Sequence, residues 1–117
     1  MSYEIKTIET SVDGNETLYI VYEVNGVVAG ICNVTHLDKE IIYINEIFTL
    51  EVYRNQGIAT TLITFILDLA RENNKKAVSL GVDFPDNGLG KFYEHVGFKK
   101  SYCYPDDGNS CIYTYFI

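Results

Sequence analysis

The sequence predicts a single α+β domain over residues 1–117, built on a mostly antiparallel sheet with two main helices. Three observations carry that prediction. Two runs rich in β-branched and aromatic residues, 17–24 (TLYIVYEV) and 27–34 (VVAGICNV), flank Asn25-Gly26. Asn-Gly between such runs is a strong hairpin signal, because both residues tolerate positive φ. From Ile58 onward the period changes, and apolar residues recur at helical spacing at Ile58, Leu62, Phe65, Ile66 and Leu69. Strand-like runs lie on both sides of that helix, which is the pattern of an α+β domain.

Taken in order, residues 3–9 alternate weakly as a first strand, and 11–16 (SVDGNE) reads as a turn or short loop. The hairpin pair follows, then a turn at 35–39 and a long strand over 40–50 (EIIYINEIFTL). Arg71 falls in the last turn of the helix that starts at Ile58, and Asn73-Asn74 can end it. Residues 76–82 (KAVSLGV) form a short apolar strand. A second helix fits 88–96, closed by Gly97 as a left-handed cap. Runs 98–104 and 111–117 supply a final strand pair, and both prolines, Pro85 and Pro105, sit in apparent turns.

Composition narrows the function classes. Hydrophobic residues make up 47% of the chain, enough apolar area to offset chain entropy and exclude disorder. The formal net charge of -7 repels phosphate backbones and anionic lipid, which argues against a nucleic-acid or membrane-surface partner. A cationic acceptor would be attracted, although acidity also simply keeps a protein in solution. No apolar stretch approaches a membrane span, and MSYEIKTIE has no signal core, so the chain reads as cytoplasmic. Cys32, Cys103 and Cys111 show no CxxC or metal-ligand spacing, which fits reduced thiols and no metal site. Cys103 and Cys111 flank a turn-like segment and can face each other across a hairpin. His36 and His95 have no partner at metal spacing and read as surface residues.

The informative segment is Tyr53-Arg54-Asn55-Gln56-Gly57-Ile58-Ala59-Thr60, between the long strand and the first helix. The first turn of a helix leaves backbone N–H groups without internal partners, and the helix dipole adds positive charge there. Gly57 removes a side chain from the approach, Ala59 keeps the next position small, and Arg54 can add a charge-assisted contact to a pyrophosphate. No Lys follows the glycine as in a Walker loop, and GxGxxG is absent.

Arg54-x-x-Gly57-x-Ala59 resembles the Q/R-x-x-G-x-G/A pyrophosphate loop of the GCN5-related N-acetyltransferase (GNAT) superfamily. Phe92-Tyr93-Glu94-His95-Val96-Gly97-Phe98 is similar to that family's F-Y-E-x-x-G-F stretch. The resemblance covers roughly residues 16–117, with its specific motifs in 46–60 and 87–98. It implies a GNAT-like fold, acetyl-coenzyme A as cosubstrate and no metal. The expected reaction is acetyl transfer to a primary amine by direct attack in a ternary complex.

The resemblance also assigns residues. Arg54, Asn55, Gln56, Gly57, Ile58, Ala59 and Thr60 would hold the pyrophosphate. The backbone of Phe48, Thr49 and Leu50 would pair with the pantetheine arm and supply an oxyanion-binding N–H. Tyr93 would protonate the departing thiolate; a phenol of pKa about 10 can hydrogen-bond to a thiolate whose acid has pKa about 8.5. As a core aromatic beside Phe92 and Phe98, Tyr93 also has a purely structural role available. Glu46 stands where several members carry an acid near the acceptor, as a base or as an exposed strand glutamate. Others keep the acid slightly upstream, where this chain has Tyr43. Asn87 is the expected pantetheine contact, with Asp86 at the more usual spacing.

One departure concerns the acceptor side. Most members insert two helices between the first two strands, and here only about six residues separate them, under two helical turns at 1.5 Å per residue. Either the acceptor site is open, or a second copy completes it. A homodimer joined through the C-terminal strands is the expectation, since SCIYTYFI would otherwise be a hazardous edge. The competing classes are a non-catalytic cofactor-binding sensor and a protein-interaction module.

Overall fold

Asn25 and Gly26 take positive φ, 51° and 81°, and close the hairpin between β2 (Asn15–Val24) and β3 (Val27–His36). The computed structural model describes residues 2–12, 15–36, 40–85, 88–105 and 110–117. β1 (Tyr3–Val12) pairs with β2 from Tyr3 opposite Val24 to Val12 opposite Asn15. The expected loop at 11–16 is corrected, because ladder pairing carries both strands into it, with Ser11 opposite Glu16 and Val12 opposite Asn15. β4 (Ile41–Thr49) completes the antiparallel succession and is followed by a 3-10 turn at Glu51–Tyr53.

After that turn come α1 (Ile58–Glu72), β5 (Ala77–Asp83), α2 (Leu89–Val96), β6 (Lys99–Cys103) and β7 (Ser110–Phe116). The α+β architecture with two main helices is the predicted one. The sheet order is β1-β2-β3-β4-β5-β7-β6, antiparallel except where β4 lies parallel to β5. Asn73 ends α1 as expected, its side-chain Nδ2 donating to the Leu69 carbonyl at 2.8 Å. Gly97, at φ 119°, closes α2, and its N–H bonds to Tyr93 and Glu94 carbonyls.

Strand order corrects one expectation. β7 is not an edge: β5 pairs with one side of it and β6 with the other. The apolar C-terminal run is apolar because it is interior, with Cys111 and Tyr113 buried. The edges of the sheet are β1 and β6.

Both helices pack on one face. Directly opposed residues in neighbouring strands share a face, which links Leu18, Val34, Ile44, Leu80 and Tyr113 across the sheet. That face meets Leu62, Ile63 and Ile66 of α1 in one apolar core. Gly30 lets α1 settle there, because a Cβ on it would lie 2.8 Å from Ile58 Cγ2. On the other face lie Val21, Ile31, Asn33, Tyr43, Glu46 and Phe48, and no described helix covers them. No helix among the described residues is long and apolar enough to cross a membrane.

Candidate active site

The site originates in a bulge. β3 and β4 pair Val34 with Ile44 but Asn33 with Glu46, so Asn45 is an extra residue. A bulge bends its strand, and β4 leaves β5 at this point: their pairing ends at Ile44 opposite Leu80. Beyond it, β4 continues beside β3 alone. Leu50 N–H bonds to the Ala29 carbonyl at 2.9 Å. The alternation of an antiparallel ladder then turns the backbone groups of Leu50 and Phe48 toward β3, and those of Ile47 and Thr49 into the gap.

At the mouth of the gap, Asn55 and Gly57 both take left-handed φ, 63° and 79°, and Gly57 is the residue that caps α1. Among the described residues no side-chain hydrogen bond caps this helix, and a helix's first N–H groups have no partner within the helix. A Cβ on Gly57 would meet nothing within 4 Å, so the space above the helix start is open. Arg54 Nε donates to the Thr49 carbonyl at 3.2 Å, which holds the guanidinium side chain beside the strand end. Gln56 instead turns back to the Val52 carbonyl at 3.4 Å.

One cavity of about 420 Å³ joins these parts. Phe48, Thr49, Arg54, Asn55, Gly57, Ile58, Ala59, Thr60 and Tyr93 all line it. So do Ile47, Tyr53, Leu89 and Phe92, which were not anticipated from the sequence. Ile47 could be found only through the bulge, which reverses the parity of the strand and has no motif of its own. Leu50, Gln56 and Glu46 are outside the lining. Glu46 is exposed, opposite Asn33 on the uncovered face. Asn87 and Asp86 lie outside the described residues.

Tyr93 is packed among core aromatics and also reaches the cavity. Its ring stands edge-on to Phe92 and Phe98, with centroids at 5.1 Å and 5.8 Å, and tilts toward Tyr113. The side chain also borders the cavity. Burial pushes its phenol above the ordinary tyrosine pKa, so it holds its proton more firmly.

The remaining groups are peripheral. His95 is exposed, and the His36 side chain is outside the described set. Cys32 is buried, and desolvation pushes its thiol up to about 12. Cys103 and Cys111 form a disulfide, contrary to the expectation of reduced thiols; they stand directly opposite each other in the β6–β7 ladder. Among the described residues no group of three or more His, Cys, Asp or Glu side chains could hold a metal ion. A second hollow, about 430 Å³, lies at the far end of α1 between Glu9, Ser11, Glu16, Leu18, Leu69 and Asn73, away from the helix start.

Known proteins share the sequence pattern and the fold of this chain. The family model of the acetyltransferase (GNAT) family matches residues 2–98. An uncharacterised N-acetyltransferase of Methanocaldococcus jannaschii is 33% identical over 92 residues, covering 74% of this chain and 41% of the relative. The chain thus spans about two fifths of that relative's length. Ard1 from Thermoplasma volcanium superposes with a TM-score of 0.75 at 25% identity, covering 85% of this chain and 70% of that one. A GNAT family acetyltransferase from Elizabethkingia anophelis, solved with acetyl-CoA bound, gives a TM-score of 0.78 at 17% identity. Its alignment covers 99% of this chain and 97% of that one.

Proposed function

The chain belongs to the GNAT acetyltransferase family, and on that premise we propose that it transfers an acetyl group from acetyl-coenzyme A to a primary amine, by direct attack in a ternary complex. The observation that carries the proposal is that the uncapped start of α1 and the Tyr93 side chain border one cavity. A pyrophosphate fits the first, and a departing thiolate needs the second.

In this mechanism the N–H groups at the start of α1 and the Arg54 guanidinium bind the pyrophosphate. The backbone groups of Ile47 and Thr49 that face the gap take the pantetheine amides, and one N–H binds the carbonyl oxygen as it gains charge. The amine nitrogen attacks the thioester carbon, the C–S bond breaks, and the thiolate takes the Tyr93 proton. The proton lost by the amine passes to Glu46 through water, or directly to solvent. Phe48 belongs to the uncovered face and Tyr93 to the helix face, yet both border the cavity, which supports entry of the acceptor from the uncovered side. The excess of acidic residues favours a cationic small amine or basic peptide there.

Incubation with acetyl-coenzyme A and a panel of polyamines, amino sugars and basic peptides should release free thiol. Absence of release from every amine would sink the enzyme reading. The exposed position of Glu46 favours a second reading, a cofactor-binding sensor without turnover. Calorimetric binding of acetyl-coenzyme A with no thiol release would select it.

We further propose a homodimer in the cytoplasm. Light scattering showing only the 13.3 kDa monomer at tens of micromolar would remove the dimer.

A further inference from the structure

The homodimer part of that proposal leaves open which surface is shared, and the two edges of the sheet differ sharply. β6 has five residues, begins with Lys99 and Lys100, and loses register between Lys100 and Tyr102. Short length, lysines and a bulge are the devices that keep an edge from pairing with another chain. β1 has ten residues, pairs with β2 without a break in register, and carries none of these devices except the single Lys6.

Its free backbone groups can be identified. Asn25 N–H bonds to the Ser2 carbonyl at 2.8 Å, which makes that opposed pair a hydrogen-bonded one. Such pairs alternate along an antiparallel ladder, so Glu4, Lys6 and Ile8 bond to β2. The N–H and C=O groups of Tyr3, Ile5, Thr7 and Glu9 point outward instead.

We infer that the outer edge of β1 joins a second copy of this chain, antiparallel and centred on Ile5. The inference rests on the homodimer reading and adds the interface. Charge selects the occupant and the register. Glu4 lies opposite Glu23 within the chain, and one ammonium, Lys6, pairs with Glu23 at 3.0 Å. Like charges directly opposed destabilise a sheet. A twofold axis at Ile5 sets Glu4 opposite Lys6 of the second copy, twice, on the uncovered face. An axis at Glu4 or at Lys6 opposes like charges, and axes at Thr7 or Ile8 leave Lys6 facing Ile8 or Thr10. On the helix face the same register brings Ile5 against Ile5. There Tyr3, 64% exposed and stacked on Tyr22 at 5.4 Å, meets Thr7 of the second copy.

Thr7→Pro tests the edge, since proline removes an N–H that points away from β2 and is tolerated on an edge strand. By light scattering, the unaltered chain should have twice the 13.3 kDa mass, and Thr7→Pro the single mass. Thr7→Pro should still unfold cooperatively and bind acetyl-coenzyme A. Glu4→Lys alone should weaken the dimer roughly tenfold, and Glu4→Lys with Lys6→Glu should restore it. A Thr7→Pro dimer as tight as the original overturns the β1 interface and leaves the homodimer standing. A monomeric unaltered chain overturns both and leaves the edge to a different strand. If Thr7→Pro fails to fold, the charge variants decide, and an unchanged dimer in Glu4→Lys overturns the register.

Discussion

Tyr93 shows how the packing that fixes a side chain also suits it to the proton-donor role proposed for it. Three aromatic neighbours hold its ring, and the same burial that orders it raises its pKa. A proton donor with a raised pKa stays loaded through the neutral and mildly alkaline range. Replacing it with phenylalanine keeps the packing and removes the proton, so kcat should fall about 100-fold. Acetyl-coenzyme A affinity, measured by calorimetry, should stay within a few-fold. Stability carries the same sign: the folded state keeps the phenol proton to higher pH than the unfolded chain does. Folding free energy is therefore undiminished below the ordinary pKa of about 10 and declines as pH rises past it. Urea titrations across that range should show the decline, reduced in Tyr93→Phe. Gly57 presents a different residue-scale constraint. At φ 79° an alanine costs about 1–2 kcal/mol, and its methyl would project into the open space above the helix start. Gly57→Ala should lose both stability and cofactor affinity, and normal cofactor affinity in that variant would contradict the proposed pyrophosphate site.

At the scale of elements, the bulged strand and the helix after it make the cleft together. β4 leaves β5 at Asn45, α1 starts where the strand has ended, and Gly30 sets how closely the helix approaches. Gly30→Ala would push a methyl against Ile58, displacing the first turn of α1. Overpacking of this kind costs about 1–3 kcal/mol, and here it should also weaken cofactor binding although Gly30 does not border the cavity. Urea denaturation and calorimetry on the same sample would check the pairing of effects. The disulfide belongs to this scale as well. It closes a separation of eight residues between β6 and β7, and its removal by reduction should cost roughly 2–3 kcal/mol in the chain-entropy account. These elements were unequally legible in the sequence. Asn25-Gly26, the α1 periodicity and Gly97 announced themselves, because each is a local backbone requirement met by local residue types. The bulge at Asn45 was not, since an extra residue in a ladder is visible only against its partner strand. The place of β7 in the sheet was hidden for the same reason: a run of SCIYTYFI suits an edge and an interior strand equally, and only strand order tells them apart. Of the candidate site, the loop from Arg54 to Thr60 and Tyr93 were readable from motifs, while Ile47 and the separation of Glu46 from the cavity were set by the parity change at the bulge.

For the whole molecule, charge and the uncovered sheet face combine into one argument. A net charge of -7 gives the protein a negative field that opposes an anionic cofactor and attracts a cationic acceptor. In the proposed mode, cofactor binding then depends on short-range groups, the start of α1 and Arg54, acting against that field. Salt shortens the range of the field to about 10 Å at 0.1 M and about 3 Å at 1 M. Raising ionic strength should relieve the long-range repulsion of acetyl-coenzyme A, although it also weakens the local contacts, so its Kd should change little. The acceptor has no such compensation. On the uncovered face Glu46 is exposed, and its attraction for an amine is the kind that salt screens. For a polycationic acceptor, kcat/KM should fall several-fold between low and physiological salt, through KM and not kcat. A neutral amine should show almost no change. Glu46→Gln should reduce the salt slope for the cation, and if Glu46 is also the base, it should lower kcat for both acceptors alike. Initial rates for one cationic and one neutral amine, at three salt concentrations and in both proteins, separate the two roles. A salt slope identical for both amines would mean that the acidic surface has no part in choosing the acceptor.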